Sequence, residues 1–178
     1  EAVNSDIYVD KTGLLTYTNS VLHTMQKYIC ISRPRRFGKS TAANMLTAYY
    51  SRGCDAEQIF SQFEIAKDSG FKKYLNKYNT ISVNMQEILS RSRSIYELIE
   101  RFNKLLIRDL KKEYPDVDYF DDTDVIECMQ DVYSQKKQAF IVILDEWDCI
   151  FREYKEDKEA QEKYLDFLRD LLKDKAYI

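Results

Sequence analysis

Two short groups of residues in this chain have the side chains and spacing that phosphate chemistry requires. The first is Gly38, Lys39 and Ser40, which follow an apolar run over residues 28–31 and precede a small-residue pattern of helical character. Glycine lets the main chain approach a phosphate, lysine reaches the β- and γ-phosphates, and a serine hydroxyl ligates Mg²⁺. The start of a helix adds unpaired N–H groups and partial positive charge. The pattern predicts a strand, a phosphate-binding loop and a helix, and hence a nucleoside triphosphate site.

This loop departs from the usual glycine-rich pattern at its first position. In G-x-x-x-x-G-K-[ST] the first glycine falls on Arg33, and the next residue, Pro34, has no N–H to donate. Arg33, Arg35 and Arg36 add positive charge, which either offsets the missing amide at the phosphates or serves another anion. A basic turn before an ordinary helix is the alternative interpretation.

The second group is an acidic pair at the end of an apolar run. Residues 140–144 are all apolar and are followed directly by Asp145 and Glu146. Such a run is typical of a strand buried on both faces of a parallel sheet, and open α/β sheets bind ligands at the carboxyl ends of their strands. We expect Asp145 to hold Mg²⁺, directly or through water, and Glu146 to act as general base toward an attacking water. Lys39 and the two carboxylates are then expected to face a common crevice.

Three segments together resemble the AAA-ATPase-like family of bacterial proteins. They are residues 8–12 (YVDKT), 33–40 (RPRRFGKS) and 145–148 (DEWD). Members of that family are P-loop ATPases whose loop already lacks the first glycine, and their C-terminal part usually resembles a PD-(D/E)XK nuclease. The resemblance covers nearly the whole chain, departs mildly at Trp147, where tyrosine is more frequent, and includes no nuclease-like region here.

The resemblance implies a nucleotide site drawn from all three segments, with ATP and Mg²⁺ as cofactors. The implied nucleotide-binding residues are Arg33, Pro34, Arg35, Arg36, Phe37, Gly38, Lys39, Ser40, Thr41, Asp10, Lys11 and Thr12. The catalytic set is Glu146, Lys39 and Arg36, and the metal is held by Ser40 and Asp145. Arg36, together with its neighbour Arg35, is a candidate for stabilising transition-state charge, in cis or across a subunit contact.

At other polar positions the sequence leaves alternatives open. Asp10 or Thr12 caps the helix that follows or, by resemblance, their segment lies over the nucleotide base. Asn84 ends an alternating pattern that predicts a strand, and it orients the attacking water or a metal ligand, or hydrogen-bonds a loop backbone. Asp148 caps a helix, ligates metal through water or contacts a partner subunit.

Composition limits the class of protein. The chain has 178 residues and a net charge of -3, so no global basic field attracts nucleic acid, and any such contact is indirect or confined to a patch. Four scattered cysteines and one histidine argue against zinc and suggest a reducing compartment. Neither an apolar run long enough for a membrane span nor a signal-peptide core is visible, so we expect a soluble cytoplasmic protein without a membrane partner.

These elements predict an α/β three-layer P-loop NTPase fold with a mostly parallel central sheet flanked by helices, as one domain over residues 1–178. The clearest helix begins with a capping box at Ser94 and Glu97. Residues 176–178 suggest a strand that is cut short, which leaves an open sheet position that favours association into a homo-oligomer. By resemblance the next strand carries a polar sensor residue, so this chain is expected to bind nucleotide and to hydrolyse it poorly.

The sequence thus predicts an ATP·Mg²⁺-binding domain that hydrolyses ATP in its full-length parent. The first alternative is a regulatory switch without significant turnover that controls an attached nuclease-like effector. The second is a nucleic-acid-binding domain that uses Arg33, Arg35 and Arg36. The variant Glu146→Gln separates the first two hypotheses, because an enzyme loses hydrolysis and retains ATP binding, whereas a switch has no hydrolysis to lose. Salt-dependent DNA affinity that persists at saturating ATP supports the nucleic-acid-binding domain.

Overall fold

The computed structural model describes residues 9–32, 38–173 and 175–178. Over these residues the chain is α/β, and helices flank a two-stranded parallel sheet. The chain divides into two compact units, Glu1–Ser82 and Val83–Ile178. The coarse α/β prediction is therefore confirmed.

The described part of the first unit consists mainly of short helices around a core of aromatic side chains. Its helices are α1 (Gly13–Val21), α2 (Lys39–Tyr50), α3 (Glu57–Phe60), a 3₁₀ helix (Glu64–Lys67) and α4 (Phe71–Tyr74). Tyr49 and Tyr50 at the end of α2 are buried, and their hydroxyls require partners there. Tyr50 donates to Asn19 Oδ1 (2.9 Å), and Asn19 Nδ2 donates to the Tyr49 hydroxyl (3.1 Å). These bonds attach α1 to the C-terminal end of α2.

One asparagine fixes the other side of that helix end. Asn76 Nδ2 donates to the carbonyls of Ala48 (2.9 Å) and Ser51 (2.7 Å), and Asn76 Oδ1 accepts from the Ala56 N–H (3.1 Å). Its own backbone has φ 54°, a left-handed conformation that asparagine tolerates better than most residues. The amide side chain thereby satisfies carbonyls that the end of α2 leaves without intrahelical donors.

The second unit is built around one long helix. Its elements are α5 (Met85–Ser90), α6 (Ile95–Glu113), α7 (Val125–Lys136), β2 (Phe140–Asp145), α8 (Cys149–Glu153) and α9 (Lys158–Leu172). The strand β1 (Asn79–Asn84) ends in this unit and pairs with β2. Helix α6 packs against α5, α7 and α9, while α5 also contacts β2 and α8. Helix α5 therefore packs against both the strand β2 and the helix α8.

The capping box predicted at the start of α6 is confirmed. Ser94 Oγ accepts from the Glu97 N–H (3.2 Å), and the Glu97 carboxylate accepts from the Arg93 N–H (2.8 Å). The backbone hydrogen bond from Arg93, followed by the bond from Arg101, lowers the pKa of Glu97. Two N–H groups at the helix start are thus satisfied, and the apolar face of α6 buries Leu98 and Phe102.

The strand expected over residues 28–31 is not formed. These residues form no regular secondary structure, and Tyr28, Ile29 and Ile31 are 48%, 38% and 39% exposed. A β-branched run becomes a strand only where another strand offers backbone partners, and the described sheet consists of β1 and β2. The prediction from local composition was therefore wrong at this segment.

Two further strand expectations need correction. The strand β2 forms where expected, but beyond Phe140 its residues are only half-buried, whereas a strand buried on both faces was expected. Residues 176–178 form a turn rather than the start of a strand. The Tyr177 carbonyl nevertheless accepts from the Phe140 N–H (2.6 Å), which ties the turn to the beginning of β2.

The four cysteines are free and fall into two pairs by exposure. Cys128 and Cys149 are buried, whereas Cys30 and Cys54 are exposed. Burial raises the pKa of both buried thiols to about 11. Cys30 lies in the segment 28–31, where a strand was predicted and is not formed. The cytoplasmic location inferred from the cysteines stays a prediction.

Across the described ranges, each helix is either too short or too polar to traverse a lipid bilayer.

Candidate functional site

The phosphate-binding sequence of the first unit stands at the start of α2, as predicted. Gly38 precedes the helix with φ 75° and ψ 30°, a left-handed conformation that favours glycine. The first helical hydrogen bond runs from the Ala42 N–H to the Gly38 carbonyl (2.9 Å). Lys39 is half-buried in the first turn, and Ser40 and Thr41 are exposed. No acidic residue occupies this turn, so nothing in it neutralises the positive end of the helix dipole.

Lys11 lies beside this helix start. A Cβ atom built on Gly38 would stand 2.9 Å from Lys11 Nζ, so the lysine amine occupies the space that the glycine leaves. An ammonium group near the positive end of a helix is unfavourable unless an anion is bound between them. The contact brings a residue of the YVDKT segment to the loop with which the sequence analysis grouped it.

The neighbours of Lys11 serve a different helix from the one expected. Asp10 Oδ2 accepts from the Glu64 N–H (2.9 Å), and Thr12 Oγ1 accepts from the Ile65 N–H (3.2 Å). Burial alone would raise the pKa of Asp10, but the backbone hydrogen bonds from Glu64 and Thr12 outweigh it, and the pKa is lowered. Thr12 occupies the N-cap position of α1 without a side-chain capping bond, so the predicted cap of α1 is wrong. Both residues hold the start of the 3₁₀ helix instead.

In the second unit, Asp145 is the last residue of β2 and Glu146 begins the turn that follows. Asp145 Oδ1 accepts from the Glu146 N–H (2.9 Å), while Oδ2 accepts no hydrogen bond from the residues that the structure describes. Glu146 has φ 53°, a backbone conformation costly for a residue with a long side chain. The turn therefore fixes the Asp145 carboxylate and directs the chain sharply into α8.

Arg152 was not singled out by the sequence, yet it contacts three polar side chains at this turn. Its Nη2 donates to Glu146 Oε2 (2.6 Å) and to Gln86 Oε1 (3.1 Å), and its Nη1 donates to Asp148 Oδ1 (2.5 Å). The side chains of Arg152 and Glu146 are only 26% and 22% exposed. Burial alone would lower the pKa of Arg152, but the hydrogen bonds to Asp148 and Glu146 raise it, so the guanidinium stays charged. The only local signal was the four-residue spacing from Asp148.

The structure decides between alternatives at two positions. Asn84 Oδ1 accepts from the Glu87 N–H (3.2 Å) and caps α5, which confirms the backbone interpretation of this residue. Asp148 occupies the N-cap position of α8 but makes no capping hydrogen bond, so its capping role is wrong. Its carboxylate pairs with Arg152 instead.

Part of the expected site lies outside the described residues. The segment 33–37 contains Arg33, Pro34, Arg35, Arg36 and Phe37, and the roles assigned to them stay predictions. Lys39, Ser40 and Thr41 belong to the first unit, and Asp145 and Glu146 belong to the second. The common crevice expected for the lysine and the carboxylates also stays a prediction.

An α/β chain with a Gly-Lys-Ser helix start and an Asp-Glu pair after a strand has the elements of a nucleotide-binding protein. The AAA-ATPase-like family, described as predicted AAA-ATPase, matches residues 3–176, and the chain belongs to this family. Comparisons with curated proteins and with solved structures give no match. The resemblance drawn from the three sequence segments is confirmed, and membership supports nucleotide binding in general terms.

Proposed function

We propose that this chain is the ATP·Mg²⁺-binding domain of an ATPase and that its full-length parent hydrolyses ATP to ADP and phosphate. The main observation that supports this proposal is the Gly-Lys-Ser sequence at the start of α2. The AAA-ATPase-like family also matches the chain over residues 3–176. A complete three-layer P-loop fold with a larger parallel sheet is part of this proposal.

The conformation of the loop end supports a bound phosphate. Gly38 is left-handed, and the space where a Cβ atom would stand is bordered by Lys11 Nζ. Backbone N–H groups of the first turn have no intrahelical acceptor and therefore suit anionic oxygens. Lys39 and Lys11 supply positive charge, and Arg36 is proposed to add charge toward the transition state.

The side chains proposed to hold the metal are chemically suited to Mg²⁺. This ion prefers oxygen ligands and is usually bound by one or two carboxylates together with substrate phosphates and water. Ser40 is exposed, and Asp145 Oδ2 accepts no hydrogen bond from the described residues. Bound Mg²⁺ would neutralise phosphate charge, which is its usual contribution to phosphoryl transfer.

Glu146 is proposed as the group that orients and deprotonates water. Its Oε2 atom accepts from Arg152, whereas Oε1 accepts no hydrogen bond from a described residue. A carboxylate with one oxygen fixed and the other accessible can receive a proton from a water placed against it. Phosphoryl transfer depends mainly on such positioning and on charge neutralisation, which Lys39 assists.

The test is isothermal titration of the folded chain with ATP and with GTP, each with and without Mg²⁺. ATP·Mg²⁺ is expected to bind, and Lys39→Ala should weaken its affinity by about tenfold or more, since a charge-assisted contact is lost. Lys77→Ala is the matched control because Lys77 is exposed and belongs to the same unit. A folded chain that binds neither nucleotide would overturn the proposal.

Phosphate release is measured on the full-length parent, because this chain alone is expected to hydrolyse ATP poorly. Glu146→Gln should retain ATP affinity and lose hydrolysis by about 10²-fold or more, the usual contribution of a general base. Binding without any measurable hydrolysis in the full-length wild-type protein would contradict the enzyme and support the nucleotide-dependent switch.

A further inference from the structure

Arg152 and its three partners form one half-buried group, which we call the Arg152 cluster: Arg152, Glu146, Asp148 and Gln86. The partners come from different elements, since Gln86 lies on α5, Glu146 lies in the turn after β2, and Asp148 precedes α8. The guanidinium reaches all of them at 2.5 to 3.1 Å. The Arg152 side chain thus connects the turn at Glu146 to α5 and α8.

Arginine is well suited to such a connection. Its planar fork presents several N–H donors in fixed directions, so one group can bind two carboxylates and an amide oxygen together. A lysine ammonium carries its charge at a single point and cannot reproduce this arrangement. The orientation of Glu146 is therefore set by α5 and α8 as well as by its own backbone.

The geometry leaves Glu146 with two unequal oxygens. Oε2 is engaged by Arg152 at 2.6 Å, and Oε1 has no donor among the described residues. Glu146 begins from a left-handed backbone position, and a long carboxylate on such a turn would otherwise sample several rotamers. An ion pair at 22% exposure of the carboxylate restricts that freedom more than a surface pair would.

We propose that Arg152 is a positioning residue that fixes Glu146 so that Oε1 faces the attacking water. The inference rests on the proposed function, because it assigns Arg152 a task only if Glu146 acts on water. Arg152 itself touches neither the nucleotide nor the water. Its contribution to the rate passes entirely through the Glu146 carboxylate.

A double-mutant cycle tests this assignment. Steady-state and single-turnover ATP hydrolysis are measured in the full-length parent for the wild type, Arg152→Met, Glu146→Gln and the double variant. Arg152→Met should lower kcat by about tenfold or more while KM and the titrated ATP affinity change by less than about threefold. In the Glu146→Gln background the same substitution should cause no further loss, because residues that act as one unit are not additive.

Arg152→Lys keeps the charge and should recover part of the lost kcat. Arg169→Met is the matched control, since Arg169 is exposed, lies in the same unit and, among the described residues, forms an ion pair only with its helix neighbour Asp166. Its hydrolysis rate should equal that of the wild type. Gln86→Leu is the milder second variant if Arg152→Met does not fold, and its smaller loss of kcat should likewise vanish in the Glu146→Gln background.

The possible failures are distinguishable. A loss in Arg152→Met that persists in the Glu146→Gln background, or an equal loss of ATP affinity, would give Arg152 a merely structural role and leave the proposed function intact. Unchanged hydrolysis by Glu146→Gln would show that Glu146 is not the general base, and the inference about Arg152 would then be wrong. A wild-type chain that binds no ATP would contradict the proposed function before the cycle begins.

Discussion

Backbone conformation at single residues shapes the candidate functional residues of each unit. Gly38 and Glu146 each have positive φ, the first at the start of α2 and the second directly after β2. At Gly38 the residue type matches the conformation, whereas at Glu146 it does not. The role of Gly38 can therefore be tested with a single substitution.

Gly38→Ala should impair nucleotide binding and cost about 1 kcal/mol of stability, because a left-handed conformation is unfavourable for alanine. The new Cβ would also lie 2.9 Å from Lys11 Nζ and displace that amine. Isothermal titration should show ATP affinity reduced by about tenfold, and urea unfolding should report the stability.

Gly13→Ala is the control for this substitution. Gly13 is the first residue of α1, and a Cβ there would meet nothing within 4 Å. Alanine favours helices more than glycine, so unchanged binding and a slight gain in stability are expected. Equal ATP affinities for the two variants would contradict the role given to Gly38.

The residues that sequence reasoning located are those whose signal is local. Gly38 and Lys39 form a continuous motif, and Asp145 follows an unbroken apolar run, so their places at a helix start and a strand end could be predicted. The donors that engage Asp10 are Thr12, two residues on, and Glu64, which lies 54 residues away in the sequence. Arg152 similarly depends on Gln86, 66 residues away. Contacts of this kind have no pattern in a single sequence.

Among the elements, the junction after α2 depends on one side chain. Asn76 bonds the last carbonyls of α2 and the Ala56 N–H, and Tyr78 continues the connection with an N–H to Tyr50 O bond of 2.9 Å before β1 begins. A helix end and the approach to a strand are thereby joined without a regular sheet. The described residues satisfy these carbonyls through the amide rather than through a glycine cap.

Asn76→Ala should destabilise the protein by about 2 to 4 kcal/mol, because several buried acceptors lose their donor and alanine disfavours left-handed backbone. Asn76→Gly should cost about 1 kcal/mol less, since it relieves the backbone term alone. Urea unfolding gives both values. Asn44→Ala, at an exposed position on α2, should change stability by no more than about 0.5 kcal/mol. Similar effects of Asn76→Ala and Asn44→Ala would disprove the account.

Helices were easier to predict than strands for a physical reason. The hydrogen bonds of α6 lie within the helix, and its capping box predicted where the helix begins. A strand requires a partner from elsewhere in the chain, so β1 and β2 formed where they pair, whereas residues 28–31 form no strand. Local composition carries no information about which partner is present.

For the whole molecule, burial of ionisable groups predicts an alkaline limit to stability. In the second unit, desolvation raises the pKa of Cys128 and Cys149 from 9.0 to about 11. Unfolded thiols lose their protons near pH 9, while folded ones keep them until about 11. The free energy of unfolding should therefore be constant with respect to these thiols below pH 9 and fall by about 2 kcal/mol per thiol as the pH rises to about 11.

Urea titrations at pH 8, 9 and 10 measure this decline. Replacing the exposed Cys30 and Cys54 by alanine should leave the slope with pH unchanged, whereas replacing Cys128 and Cys149 should reduce it. Burial also raises the pKa of Tyr50 and Tyr164, so a residual slope at higher pH is expected in every variant. If the two double variants had the same slope of unfolding free energy with pH, the buried thiols would not contribute to the pH dependence of stability.

The left-handed backbone at Glu146 bears on how this position tolerates replacement over evolutionary time. A chain selected for thermodynamic durability alone would place glycine or asparagine there and gain about 1 kcal/mol. Retaining a long acidic side chain with φ 53° means that some robustness is forgone at this one point. Under the proposed function, relatives that do not hydrolyse ATP are expected to carry glycine or asparagine at this position more often than relatives that do.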